Sequence, residues 1–275
     1  MNAEAAAAVV PARLELLKGV FNEVGNGESK GMGSLFEAKS GHAPCVLQTA
    51  TTIRGKDFDL PTTLAKMLPV KQAVKSLNQH LQSSPWGYQD IASDTKGKKI
   101  ITTIAKCFDP MVMSKLPVDT EQGFGAKVYR PSFLGLKKYF MHCNLSPYAA
   151  MEARLVVEGS EFVMGVQCDD VPPQGDDLKQ KRNWMASASA ADLKELFGTK
   201  GFLVKHDSSN LLIVPSGWMC YIFSEDGAKI IRWGLSSDNN DTARVKVYLD
   251  MMIRSSAELR SAGAGYTAFH RYLNE

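Results

Sequence analysis

Asn210-Leu-Leu-Ile-Val-Pro-Ser-Gly-Trp-Met-Cys220 is the stretch on which the fold turns. Leu211 to Val214 form an unbroken apolar run of strand length. Pro215 and Gly217 then force a turn, and Trp218 opens a second apolar run. Asp226-Gly227 follows, a dipeptide that favours the tight turn of a β-hairpin. Lys229-Ile-Ile-Arg-Trp-Gly-Leu235 is the expected return strand.

The same rhythm extends upstream. Short apolar runs separated by turn signals fall at Lys138–Met141, Arg154–Glu158, Phe162–Val166, Phe202–Lys205, Leu211–Val214, Tyr221–Phe223 and Lys229–Trp233. Many short strands at such intervals predict a sandwich or barrel. Two helices interrupt or close the set. Ala190–Phe197 is one, with Ser189 placed as its N-cap. Thr242–Ala262 is the other, with Val245, Tyr248, Leu249, Met252 and Ile253 on one face and Gly263 just past its end.

The first 130 or so residues have a different character. Leu14, Leu17, Phe21 and Val24 recur at helical steps, so Pro11–Val24 predicts an amphipathic helix with Pro11 at its start. Gly25–Gly41 is rich in Gly, Ser and charge and reads as a mobile linker. Cys45–Ile53 is a short β-type run. Thr62–Gln82 predicts a second amphipathic helix, and Lys96–Lys99 a basic turn before a strand, Ile100–Ile104. The two amphipathic helices are expected to cover an outer sheet of the barrel, with docking of a partner or a second copy as the alternative.

Composition narrows the function classes. The net charge of +3 is too small to indicate nucleic acid or an anionic membrane. Five cysteines with no C-x-x-C pair argue for reduced thiols rather than a disulfide scaffold or a structural zinc site. No apolar run approaches membrane-spanning length, and no basic n-region opens the chain. A cytoplasmic or nuclear protein without membrane contact is expected, and its partner, if any, is another protein or a second copy. Lys179–Arg182 (KQKR) is expected to be exposed charge. The four tryptophans, Trp86, Trp184, Trp218 and Trp233, are expected in the core or in a pocket wall. Ser216 before Gly217 lacks the rest of a nucleophile elbow, which argues against a hydrolase.

From about Tyr139 to Leu235 the chain resembles the JmjC family of cupin-fold oxygenases. Pro215-Ser-Gly-Trp-Met-Cys220 is similar to the family's Pro-x-Gly-Trp-x-His, and Ile230–Leu235 to its Ile-x-x-Trp-x-Leu return strand. Leu155–Val163 resembles its central strand pair. Trp184, Asp192–Phe197 and Gly198–Phe202 resemble the connecting region. The resemblance implies an α+β chain. Residues 131–240 would form a double-stranded β-helix (jelly-roll, cupin) barrel. The resemblance does not reach the first 130 or so residues; there the helical patterns themselves predict an α-rich N-terminal extension over 1–130 with a flexible linker near 25–41, and past the barrel a C-terminal helical segment over 241–275.

The resemblance also supplies site positions, and this sequence departs from the family at three of them. Iron in that family sits on two histidines and a carboxylate, leaving positions open for 2-oxoglutarate and oxygen. His142 matches the first ligand. Asn144 stands where the carboxylate belongs, and its neutral amide does little to offset the dehydration of a divalent cation. Cys220 stands where the distal histidine belongs, and a thiolate is a softer ligand. Glu161 occupies the place of the basic anchor for 2-oxoglutarate, where it would repel a dicarboxylate. Lys137, Lys138 or Arg154 would have to substitute from a neighbouring strand. Other candidate ligands are His206-Asp207, Cys168-Asp169-Asp170 and His42.

Plainer roles stand beside these. Cys220 is a small core residue, His142 a partly buried histidine, His206-Asp207 a polar turn and the 168–177 segment a solvated acidic loop. The combined departures point to a non-enzymatic binding or scaffold protein on a degenerate barrel, without a cofactor. One alternative is a divergent Fe(II)/2-oxoglutarate hydroxylase or demethylase acting on a protein or nucleic acid. Another is a cupin that binds zinc or a similar softer ion.

Overall fold

The computed structural model describes residues 3–34, 37–38, 40–48, 50–53, 56–59, 86–90, 132–136, 140–145, 151–207, 210–235, 247–248 and 250–251. The expected helix over 62–82, the strand over 100–104, and Lys137 and Lys138 lie outside the described residues, as does most of 242–262.

Among the described residues the bounded α-helices and strands are, in order, α1 (Ala3–Gly25), β1 (Cys45–Gln48), β2 (Ala50–Ile53), β3 (Lys56–Asp59), β4 (Trp86–Asp90), β5 (Ser132–Leu136), β6 (Phe140–Leu145), β7 (Met151–Gly159), β8 (Glu161–Gln167), α2 (Leu178–Ser187), α3 (Ala190–Thr199), β9 (Phe202–His206), β10 (Asn210–Val214), β11 (Trp218–Ser224) and β12 (Ala228–Leu235), with a 3-10 turn at Cys168–Asp170 after β8. The architecture is α+β, and every strand pairing is antiparallel. One sheet has the order β1-β10-β7-β12-β5-β4 and a second the order β6-β11-β8-β9, while β2 and β3 form a separate hairpin. No helix among the described residues is long and apolar enough to cross a membrane.

The four-stranded sheet buries apolar residues on both faces because it is covered on both. Alternate residues of a strand point to opposite sides. Met164, Leu203, Met219, Tyr221 and Phe223 face one way and form a core with α1, α2 and α3. Val163, Phe202, Val204, Trp218 and Cys220 face the other way and pack on Leu212 and Val214 of the six-stranded sheet. The second core therefore lies between the two sheets.

Helix α1 supplies Leu14, Leu17, Val20 and Phe21 to the first core, each nearly or fully buried. The Phe21 ring meets Phe162 edge-on at 5.1 Å. Arg13 fixes the neighbouring helix by donating to the carbonyls of Ala188 (2.6 Å) and Met185 at the end of α2. A cation there complements the helix dipole. The expected cover role of this helix is thus observed on the described sheet. Its start is corrected: α1 begins at Ala3 and runs through Pro11. Alanine is the strongest helix former, and the run Ala5–Ala8 extends the helix despite the amide hydrogen that Pro11 lacks.

Helix α3 matches its predicted cap. The Ser189 hydroxyl accepts from the Asp192 amide at 3.2 Å, and the Asp192 carboxylate accepts from the Ser189 amide at 3.1 Å. Two donors of the first turn are satisfied reciprocally.

The 25–41 stretch, expected as a mobile linker, is tied down where it is described. Lys30 and Leu203 exchange backbone hydrogen bonds of 2.8 and 2.9 Å, and the Lys30 ammonium donates to the Gly198 carbonyl at 2.7 Å. Gly31 has a φ of 70°, and a Cβ there would lie 2.6 Å from the Gly201 oxygen. The glycines that suggest a flexible tether instead let the chain approach the edge of β9.

Candidate functional site

Strand β11 lies between β6 and β8, and its register decides which candidate residues meet. Cys220 stands opposite Asn144 on β6 and opposite Gly165 on β8, while Ile222 stands opposite His142. Directly opposed residues share a face. The ladder therefore puts the positions of His142, Asn144 and Cys220 on one face of the sheet, the face turned to the six-stranded sheet.

The surroundings of Cys220 are dry and aromatic. Only 6% of its surface is exposed. Phe202 and Trp218 pack edge to face at 5.4 Å in the same cluster. A Cβ on Gly165 would run into the Phe202 ring and come 2.8 Å from Cys220 Sγ. Gly165 is thus the floor on which Phe202 rests, and that ring fills the space beside the thiol.

Next to this apolar cluster lies a buried ionic network. Arg154 on β7 reaches Glu161 on β8 through two bonds, Nε to Oε1 at 2.8 Å and Nη2 to Oε2 at 2.7 Å. Its Nη1 donates to Glu152, and Glu152 also lies 3.9 Å from Arg232 on β12. His206, the last residue of β9, brings Nδ1 to 2.9 Å from Glu161 Oε1 and Nε2 to 3.1 Å from the Asn210 carbonyl. Glu161 and His206 have no exposed surface.

Burial alone would push the Glu161 carboxyl up. The Arg154 charge and the hydrogen bonds from Arg154 and His206 outweigh burial and hold it at about 2. Burial likewise opposes the charge on Arg154, and the two glutamates reverse that and raise its pKa.

Two expectations are corrected here. His206 is not a turn residue: it continues the inward face of Phe202 and Val204 at the two-residue period of β9, and that alternation was the available signal. Arg154 is not a spare anchor for an acid, because its donors are committed to Glu161 and Glu152.

The remaining candidates lie apart from this face. Cys168 is buried in the helix-side core with Sγ 3.7 Å from Met251 Sδ, and burial pushes its thiol up to about 12. Asp169 accepts from the Tyr248 hydroxyl at 2.8 Å, and Asp170 pairs with Lys200 at 2.7 Å. The acidic loop is thereby tied to neighbouring elements instead of being wholly solvated. His42 is exposed. Lys181, expected as exposed charge, is buried and donates to the carbonyls of Val171 (2.7 Å) and Pro173 (3.2 Å). Trp184 is half-buried and lines a surface cleft with Leu196 and Lys200.

The described residues do not fit Fe(II) with 2-oxoglutarate. Fe(II) of the oxygenase kind sits on two histidines and a carboxylate with open positions, whereas Cys220 offers sulfur and Phe202 occupies the adjoining space. A dicarboxylate needs a cation with free donors, and Glu161 already holds the Nε and Nη2 edge of Arg154. Among the described residues no group of three or more His, Cys, Asp or Glu is arranged to hold a metal ion. The chain matches no protein-family model and no curated protein.

Proposed function

We propose that the chain is a non-enzymatic binding or scaffold protein built on a catalytically degenerate JmjC-like jelly roll. Strand pairing supports the barrel part of this reading. A jelly roll is a long antiparallel hairpin of eight strands rolled into two sheets. Such a hairpin pairs first with eighth, second with seventh, third with sixth and fourth with fifth. Among β5 to β12 the corresponding pairs are all present: β5 with β12, β6 with β11, β7 with β10 and β8 with β9.

The observation that carries the non-enzymatic part is the bidentate contact between Arg154 and Glu161. It fills with the protein's own charge the interior that a catalytic relative keeps for its cosubstrate. The partner is a protein or a second copy, met in the cytoplasm or nucleus. Purified protein incubated with Fe(II), 2-oxoglutarate and oxygen is expected to form no succinate above a Cys220→Ala control. Cys220-dependent succinate formation would sink the proposal in favour of a divergent hydroxylase.

A second reading has one observation in its favour. The shared face of His142, Asn144 and Cys220 suits a cupin that binds a softer ion such as zinc. That reading expects zinc to raise the melting midpoint of the wild type and not of Cys220→Ala. An equal response in both rules it out.

A further inference from the structure

The geometry points to Glu161 as a built-in ligand. Its carboxylate fills a carboxylate-binding cradle made by Arg154 and His206. That cradle accepts a free monocarboxylate of acetate size once the Glu161 side chain is cut back to alanine.

The cradle is held open by partners other than Glu161. Glu152 takes Arg154 Nη1 and so fixes the guanidinium from its far side. The Nε and Nη2 edge, the pair suited to a planar carboxylate, faces Glu161 alone. His206 Nε2 lies against the Asn210 carbonyl, which anchors the ring while Nδ1 faces Glu161 Oε1. Arg232 lies on the other side of Glu152. Both walls thus keep their orientation without the glutamate, which is what preorganisation requires.

The chemistry of the deletion matches the ligand. Glu161→Ala removes one methylene and one carboxylate, the heavy atoms of acetate. It leaves Arg154 buried with half its counter-charge gone, a state that costs far more than an exposed unpaired arginine. A small carboxylate that enters during local opening or refolding restores the charge and both bidentate bonds. A neutral or cationic solute restores neither.

The test follows thermal unfolding of Glu161→Ala in sodium acetate, sodium formate and sodium chloride at matched ionic strength. Acetate and formate are expected to raise its midpoint, with a shift that grows with the logarithm of concentration. Chloride is expected to leave it unmoved. Wild type, Glu161→Gln (whose amide fills the space) and the double variant Arg154→Met/Glu161→Ala are expected not to respond. If Glu161→Ala does not accumulate folded, recovery on refolding from urea is the readout, with acetate restoring it and chloride not. Equal responses of variant and wild type overturn the inference. So does the absence of any acetate-specific gain in both melting and refolding. Turnover of 2-oxoglutarate by the wild type would overturn the functional proposal above and leave this one standing.

Discussion

A guanidinium taken wholly out of water survives only where opposite charge replaces its hydration. Arg154 meets that condition twice, at Glu152 and at Glu161. Replacing it with methionine strands two carboxylates in the interior. The expected loss is about 3–5 kcal/mol in urea denaturation, the range for breaking a buried pair from one side. The same network sets the acid response. Glu161 holds its proton at about 2 when folded, below the ordinary value of 4.5. The unfolded chain therefore binds the proton more readily, and stability falls as pH drops. The contribution is full above 4.5 and is lost between there and about 2, and Glu161→Gln is expected to lack that segment of the pH profile. At this scale the sequence was half legible. Glu161 stood out because a carboxylate replaced an expected base. Arg154 and His206 were singled out too, but for other roles and not as its partners, because they meet it from β7 and β9, and sequence order carries no record of which cross-strand charges lie together.

Among the elements, α3 was read correctly because its signal is local. Ser189 and Asp192 lie three apart and need nothing else to form their reciprocal bonds. Ser189→Ala is expected to cost about 1 kcal/mol in chemical denaturation, in line with other N-cap losses, with little effect on the slope of the transition. The strands from β6 to β12 were legible in place and short in length, whereas β3, β4 and β5 carry no unbroken apolar run that marks them, and the region expected to be α-rich contributes β1 to β4. Tyr221–Phe223 grew to Trp218–Ser224 because β6 and β8 flank β11 and extend its ladder on both sides. The strap at Lys30 was misread for the opposite reason: its glycines serve a close approach to β9, and the chain they approach lies far along the sequence.

For the whole molecule, α1 is a structural wall of the sheet. Leu14, Leu17, Val20 and Phe21 would leave an apolar floor exposed if the helix were gone. Deleting residues 3–25 is expected to raise binding of a hydrophobic dye and to broaden the unfolding transition. A truncated chain that stays monomeric and unfolds as sharply as the full one would contradict that role.

The position of that wall has a consequence for synthesis. Phe21 rests on Phe162 and shares a core with Tyr221 and Phe223, which lie far downstream. At a translation rate of about 5–20 residues per second, α1 leaves the ribosome on the order of ten seconds before β8. Its apolar stripe has no sheet to cover during that time. α1 is thus made before the strands that bury it, and the stripe of Leu14, Leu17 and Phe21 stays unpaired until β8 and β11 have followed.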